Sequence, residues 1–344
     1  MTGTGAPAIA VCIPTYNQAQ FVARAVESAL HQTGYPQVDV FVSDDASSDD
    51  TPAVMAELCA RDPRVHYHRH ARNLGIAENA SWVLSQPAAD VVVRLDSDDL
   101  LLPDYVRVLY DRLMAYPAAG YAHSAVQVID QDGAVQSVSH MFRPREYVDA
   151  DTALRESLKG YKTVANILMF RAEALRRANY YHGRPNFAED YDLSVRLADL
   201  GYGNVFVNGV LAQYRVWGDA QGTRHHRKAE HLRGLTHLFH RSFVAAFLRR
   251  GWNLRDVHGA QTRVAVRFAT SIFMPWITDD ERAELVPMLY ALDGGVRVRL
   301  RVFLLRLGLG RVFAMVAHWD ALMRRTAKRI LVLVKSSGRG GGAA

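Results

Sequence analysis

The chain has 344 residues, 49% hydrophobic and 22% charged, which is enough for about two domains with cores that need no disulfide or metal staple. That composition excludes collagen-like, disulfide-rich and largely disordered chains, and the only two cysteines, Cys12 and Cys59, read as small buried hydrophobes suited to a reducing compartment. The formal charge of +6 invites an anionic partner but is unevenly placed: residues 294–344 carry eleven Lys/Arg against one acid, Asp320, whereas the first 293 residues carry a net −4.

In chain order, residues 8–13 form a β-branched run that predicts a strand. Residues 18–31 predict a helix with Phe21, Val22, Ala25, Val26, Ala29 and Leu30 on one face. A second strand follows at 38–43, then a helix opened by Thr51-Pro52, with the hydroxyl as N-cap. Residues 64–69 read as a strand, 76–85 as a helix and 90–95 as a strand. Apolar strands alternating with helices argue for a parallel sheet covered on both faces. The ligand site is then expected at the carboxyl ends of the strands, at 14–18, 44–50 and 96–99. Further on, 121–129 and 134–140 flank the turn Asp130-Gln131-Asp132-Gly133, 162–170 reads as a strand, and 189–200 as a helix ending at Gly201. Beyond about residue 218 strand signals fade into Arg-, Leu-, Phe- and Trp-rich helical sequence. The start of the chain lacks a charged leader with an apolar run, and no window of about 18 residues is uncharged and apolar, so no spanning helix is expected and the cytoplasm is the expected compartment.

Two acidic clusters follow apolar strands: Ser43-Asp44-Asp45-Ala46-Ser47-Ser48-Asp49 and Asp96-Ser97-Asp98-Asp99. Carboxylates crowded at a strand end repel one another, and they persist when they hold a divalent cation or accept hydrogen bonds. The alternative is a pair of solvated acidic loops.

These clusters join three other segments to form an ordered set. Ile13-Pro14-Thr15-Tyr16-Asn17, the first cluster, Arg72-Asn73-Leu74-Gly75-Ile76-Ala77 with Asn79, the second cluster with Leu102-Pro103-Asp104, and Glu189-Asp190-Tyr191-Asp192-Leu193 resemble the family-two inverting glycosyltransferases of the GT-A fold. The resemblance spans residues 8–217. It implies an α/β, Rossmann-like GT-A domain over 1–218, with a mostly parallel sheet flanked by helices. A mainly helical basic region over 219–337 and a glycine-rich tail over 338–344, expected to be disordered, would follow. It also implies site roles. Asp45 would accept a uracil or thymine imide N–H; Pro14, Thr15 and Asn17 would line the base pocket beside Tyr16; Arg72 and Asn73 would contact the nucleotide. Asp96 would meet ribose or metal-bound water, and Asp98 would ligate Mn²⁺ or Mg²⁺. Asp190 would be the general base of a single inverting displacement, flanked by Glu189 in the donor or acceptor pocket, with Asp192 as a cap or packing partner. Trp217 stands where many relatives carry a metal-binding His. His225 or His226 could substitute, and Trp217 could stack on a sugar or pack in the core.

The activity so implied is metal-dependent transfer of a sugar from a UDP- or dTDP-sugar to a hydroxyl of a glycan or lipid-linked glycan. Nucleotidyl transfer is the alternative, but residues 14–18 lack its Gly-rich, basic loop; a non-catalytic scaffold is another. Gln221-Gly222-Thr223-Arg224-His225 lacks the Trp of the Gln-x-x-Arg-Trp signature of processive synthases and reads as chance. His66, His68 and His70 alternate along one strand face and read as an ordinary strand surface. The basic C-terminal region leaves three readings open: an anionic membrane surface on the inner face of the plasma membrane, packing on the catalytic domain, or self-association. No nucleic-acid recognition motif is present.

Overall fold

The computed structural model describes residues 8–34, 37–181, 188–217 and 227–309; His225, His226 and the tail at 338–344 lie outside them. The first elements are β1 (Ile9–Thr15), α1 (Ala19–Leu30), β2 (Asp39–Asp44), α2 (Thr51–Arg61), β3 (Val65–Arg69), α3 (Ile76–Ser85) and β4 (Val91–Arg94). Next come β5 (Leu100–Leu101), α4 (Tyr105–Ala115), β6 (Ala119–Ile129), β7 (Val135–Ser139), β8 (Tyr147–Val148), α5 (Ala150–Ser157), β9 (Leu168–Arg171), α6 (Ala172–Ala178), α7 (Glu189–Asp199) and β10 (Gly203–Arg215). They build one ten-stranded sheet in the order β3-β2-β1-β4-β9-β6-β10-β5, with β7 on β6 and β8 on β10.

The α/β architecture is as expected, with parallel pairing concentrated in β3-β2-β1-β4 and recurring between β6 and β10. β9 runs antiparallel between β4 and β6, so the sheet as a whole is mixed. Alternation along β1 explains why helices cover both faces. Ile9, Val11 and Ile13 join one core with Val22, Ala25 and Val26 of α1, Met55 of α2 and Leu109 of α4. Ala10 and Cys12 join another with Ala80 and Val83 of α3, Leu175 of α6 and Leu193 of α7. The order reverses at β1, whose neighbours β2 and β4 lie on opposite sides, so a crevice opens beyond its carboxyl end.

Two local expectations change, and one strand absorbs a turn-like dipeptide. Thr51 is the first residue of α2 rather than its cap, and the Asp49 carboxylate accepts the Thr51 N–H at 3.0 Å. The strand expected over 162–170 is only Leu168–Arg171. The long β10 carries Asn208-Gly209, a turn-like dipeptide that the strand absorbs within a register shift between Val207 and Val210.

The chain divides into two compact units, Met1–Ala260 and Gln261–Ala344. The first extends past the boundary expected at 218 to include α8 (Lys228–His237), a π-helical turn (Leu238–Phe243) and α9 (Val244–Arg249). Polar ties explain this. Ser242 donates to Asp192, Arg249 pairs with Asp199, and Arg250 pairs with Asp199 at 2.9 Å and Asp151 at 2.6 Å. The helix α10 (Arg255–Ile272) crosses the division. In the second unit, α11 (Asp279–Leu292) opens with a Thr278/Glu281 capping box, and α12 (Val296–Arg306) buries Val298, Val302 and Leu305. No helix among the described residues is long and apolar enough to cross a membrane.

Candidate active site

A cleft of about 490 Å³ lies beyond the carboxyl ends of β1, β2 and β4. Pro14, Thr15, Tyr16 and Gln18 line it from the loop after β1, and Asp45 from the loop after β2. Asn73, Gly75, Ile76 and Asn79 line it around the start of α3, Asp96, Ser97 and Asp98 after β4, and Arg227 and Glu230 at the start of α8. Its size suits a small-molecule ligand. Tyr16 is 48% exposed on its wall, while the Thr15 hydroxyl and the Gln18 side-chain amide oxygen are buried without a protein partner. Buried polar atoms are ordinarily paired, so these two oxygens suit donors on a ligand.

Each acidic turn is held in a different way. In the first, Asp44 accepts the Ser47 N–H at 2.8 Å and the Tyr67 hydroxyl at 2.7 Å. Asp45 accepts the N–H groups of Leu74 at 2.6 Å and Gly75 at 2.9 Å, which fixes the loop before α3. Asp49 accepts the Ala19 N–H at 3.0 Å and so tethers the start of α1. Backbone strain marks the same place, where Asn17 (φ 54°) and Ala46 (φ 61°) are left-handed.

In the second turn the carboxylates meet mostly side chains. Arg94, 1% exposed, donates from Nε to Asp96 at 3.0 Å and from Nη1 to Asp190 at 2.6 Å. Burial works against its charge, but Asp190 and Asp96 outweigh that, so the guanidinium is held firmly cationic. Its Cζ also lies 4.9 Å from the centre of the Tyr181 ring. Trp217 Nε1 donates to Asp98 Oδ2 at 2.6 Å, with its ring edge-on to Phe21. Asp99 accepts the Arg215 N–H at 2.8 Å, and its other oxygen is buried without a partner. Burial pushes the Asp98 carboxyl up; the Trp217 bond opposes this and the Asp96 charge adds to it. Burial, then the charges of Asp98 and Asp96, hold Asp99 well above the usual carboxylate range.

Asp190 lies in the first turn of α7 with its side chain 12% exposed. Burial raises its pKa, while Arg94 pulls the other way. Burial and then the charge of Asp190 push Glu189 up to about 7. Asp192 faces away and pairs with Arg196 at 2.7 Å, as a packing partner.

Residues 10–176 match the family model described as Glycosyl transferase family 2. The chain carries a family-two glycosyltransferase domain. Over 195 residues the sequence is 29% identical to chondroitin synthase of Escherichia coli, a match covering 57% of this chain and 27% of that relative. The chain therefore spans only about a quarter of that relative's length. In structure it is similar to S. aureus TarS 1–349 in complex with UDP-GlcNAc (TM-score 0.54, 14% identity, 88% of this chain and 92% of that one). It is also similar to the mannosyltransferase PcManGT from Pyrobaculum calidifontis in complex with GDP-Man and Mn²⁺ (TM-score 0.54, 20% identity, 96% of this chain and 87% of that one). These likenesses establish the GT-A fold.

Within the family-two domain, the cleft gathers Pro14, Thr15, Tyr16, Asp45, Asn73, Asp96 and Asp98 of the sequence-predicted residues. Asn17 and Arg72 are not among its lining. Asn17 is a clasp between two strand-end loops, accepting the Ser48 N–H and donating its own N–H to Ser47 Oγ, both at 2.8 Å. Arg72 is exposed. Asp190 and Trp217 stand outside the lining but are bonded to Arg94 and Asp98, and Glu189 sits beside Asp190. Trp217 does not stack freely, because its N–H is committed to Asp98. Sequence reasoning placed Gln18 in the expected ligand loop 14–18 but missed Arg94, Arg227 and Glu230. A charged residue inside the apolar run 91–95 was the one available signal, for Arg94.

The second turn fits a divalent cation. Asp98 has one oxygen left after Trp217, Asp96 lies beside it, and burial, with neighbouring acid charges adding to it, raises the pKa values of Asp98 and Asp99. Among the described residues no group of three or more His, Cys, Asp or Glu forms a closed metal cage. His66 instead pairs with Asp39 at 3.1 Å, and His68 stacks on Trp82.

Proposed function

We propose that the protein is an inverting, Mn²⁺- or Mg²⁺-dependent glycosyltransferase that moves a sugar from a UDP- or dTDP-sugar to a hydroxyl of a glycan or lipid-linked glycan in polysaccharide or glycoconjugate assembly. The observation that carries this reading is the buried guanidinium of Arg94, bonded at once to Asp96 in the cleft and to Asp190 beyond it. It couples the donor-binding acid to the proton-accepting acid Asp190, which lies 96 residues beyond Arg94 in sequence.

Tyr16, exposed on the cleft wall, offers a face to the base, and the unpartnered Thr15 hydroxyl lines the same cleft. Asp45 retains lone pairs for an imide N–H after holding Leu74 and Gly75. Asp98, with Asp96, would hold the cation, which when bound neutralises charge on the departing diphosphate. Asp190 takes the acceptor hydroxyl proton through its second oxygen, while Arg94 fixes the first. A proton-accepting group must be ionised when it acts; burial leaves the Asp190 pKa raised, and the guanidinium opposes that burial in favour of the carboxylate. With one base and no protein nucleophile, a single displacement inverts the anomeric carbon.

A thermal-shift screen of nucleotide sugars with Mn²⁺ tests the donor class: a UDP- or dTDP-sugar is expected to raise the melting temperature more than other nucleotide sugars do. Proton NMR of the product then reads the anomeric configuration, with inversion expected. Stabilisation by none of the pyrimidine nucleotides, or a retained configuration, contradicts the proposal.

A further inference from the structure

The helix α12 has two apolar faces. Val298, Val302 and Leu305 are buried within the second unit. Val296, Leu300, Phe303 and Leu307 are exposed at 81%, 53%, 56% and 60%. At 100° per residue these four fall within about 60° of arc, a single stripe roughly 16 Å long. Exposed arginines flank it, Arg297 on one side and Arg299 and Arg306 on the other. Residues 294–309 contain no acid.

We propose that this face of α12 is a docking surface for an anionic phospholipid bilayer, with the apolar stripe entering the acyl boundary and the flanking arginines reaching lipid phosphates. Long arginine side chains bury their stems and keep the charged ends at the headgroup level, so a cationic rim around an apolar stripe matches such an interface. Charge selects this occupant over two others. A second copy packed on the stripe about a two-fold axis would bring like-charged arginine rims together. The chain's own residues 310–344 carry seven Lys/Arg against Asp320 and so share the sign of the rim. The surface is independent of the transferase reading.

The test is flotation of the full chain with neutral phosphatidylcholine vesicles and with vesicles containing roughly 30% phosphatidylglycerol. The anionic vesicles are expected to capture the protein, and about 0.5 M salt to weaken that capture strongly. Leu300→Glu/Phe303→Glu should reduce partitioning at least tenfold without altering thermal unfolding. Arg297→Gln/Arg306→Gln, which leaves the stripe intact, should reduce it on the order of 20-fold on anionic vesicles, at about fivefold per arginine, and leave neutral vesicles unaffected. The arginine pair decides the matter if the glutamate pair fails to fold. Absence of wild-type binding to anionic vesicles, wild-type-like flotation of folded variants, or a concentration-dependent dimer abolished by the glutamate pair would each overturn the proposal.

Discussion

The two acidic turns look alike in sequence and differ in what their carboxylates accept. Asp44, Asp45 and Asp49 take backbone N–H groups, which ties three strand-end and helix-start segments into one frame. Asp96 and Asp98 take Arg94 and Trp217 side chains, and Asp99 keeps a buried oxygen without a partner. Backbone donors cannot be withdrawn without refolding a loop, whereas Asp96 and Asp98 are held by side chains and line the cleft, and Asp99, held by the Arg215 N–H, stands close enough for the three charges to oppose one another. The first turn is therefore a frame, and the second is poised for a ligand.

The contrast yields predictions of graded size. Asp98→Asn should cut transfer on the order of 10²–10³-fold, as losing one stabiliser of developing charge does. It should leave the melting temperature unchanged or higher, because one of three crowded acids can no longer ionise. A collapse in stability instead would make the second turn a frame too. Asp45→Ala strands the Leu74 and Gly75 N–H groups and is expected to cost about 2–4 kcal/mol in urea denaturation. Full stability in that variant would erase the distinction between the turns.

The smallest effect sharpens the contrast at α7. Glu189 is raised from 4.5 to about 7, so between those values the folded state keeps a proton that the unfolded state has lost. Stability then falls as pH rises through that window. Glu189→Gln should melt roughly 2 °C higher than wild type above pH 7 and show no gain near pH 4. A melting curve parallel to wild type at every pH would mean that Glu189 is not held neutral.

Local patterns made much of this legible. Period and turn signals located β1 to β4 and their helices, because each element there reports its own burial. The family motifs located most of the cleft, because they lie at the carboxyl ends of those strands. What stayed hidden was relational. Arg94 reads as a charged interruption of a strand until Asp190, 96 residues on, is brought beside it. Asn17 matches a base-pocket motif, yet its left-handed backbone turns it into a clasp on Ser47 and Ser48. Trp217 reads as a missing metal ligand, and only its indole N–H on Asp98 shows how that position is used. The boundary expected at 218 fell where strand signals end, but the hydrogen bonds of Ser242, Arg249 and Arg250 bind the following helices into the same unit.

In the proposed reaction the second turn holds the donor while Asp190, fixed by Arg94, receives the acceptor proton. Asp190→Asn keeps the shape and an acceptor for Arg94 but removes the basic carboxylate. The decisive measurement is turnover of this variant alongside calorimetric titration of its nucleotide-sugar donor with Mn²⁺. Donor affinity within about twofold of wild type, with turnover reduced at least on the order of 10²-fold, is the expected result. Near-normal turnover with intact donor binding would contradict it and move the base to another residue.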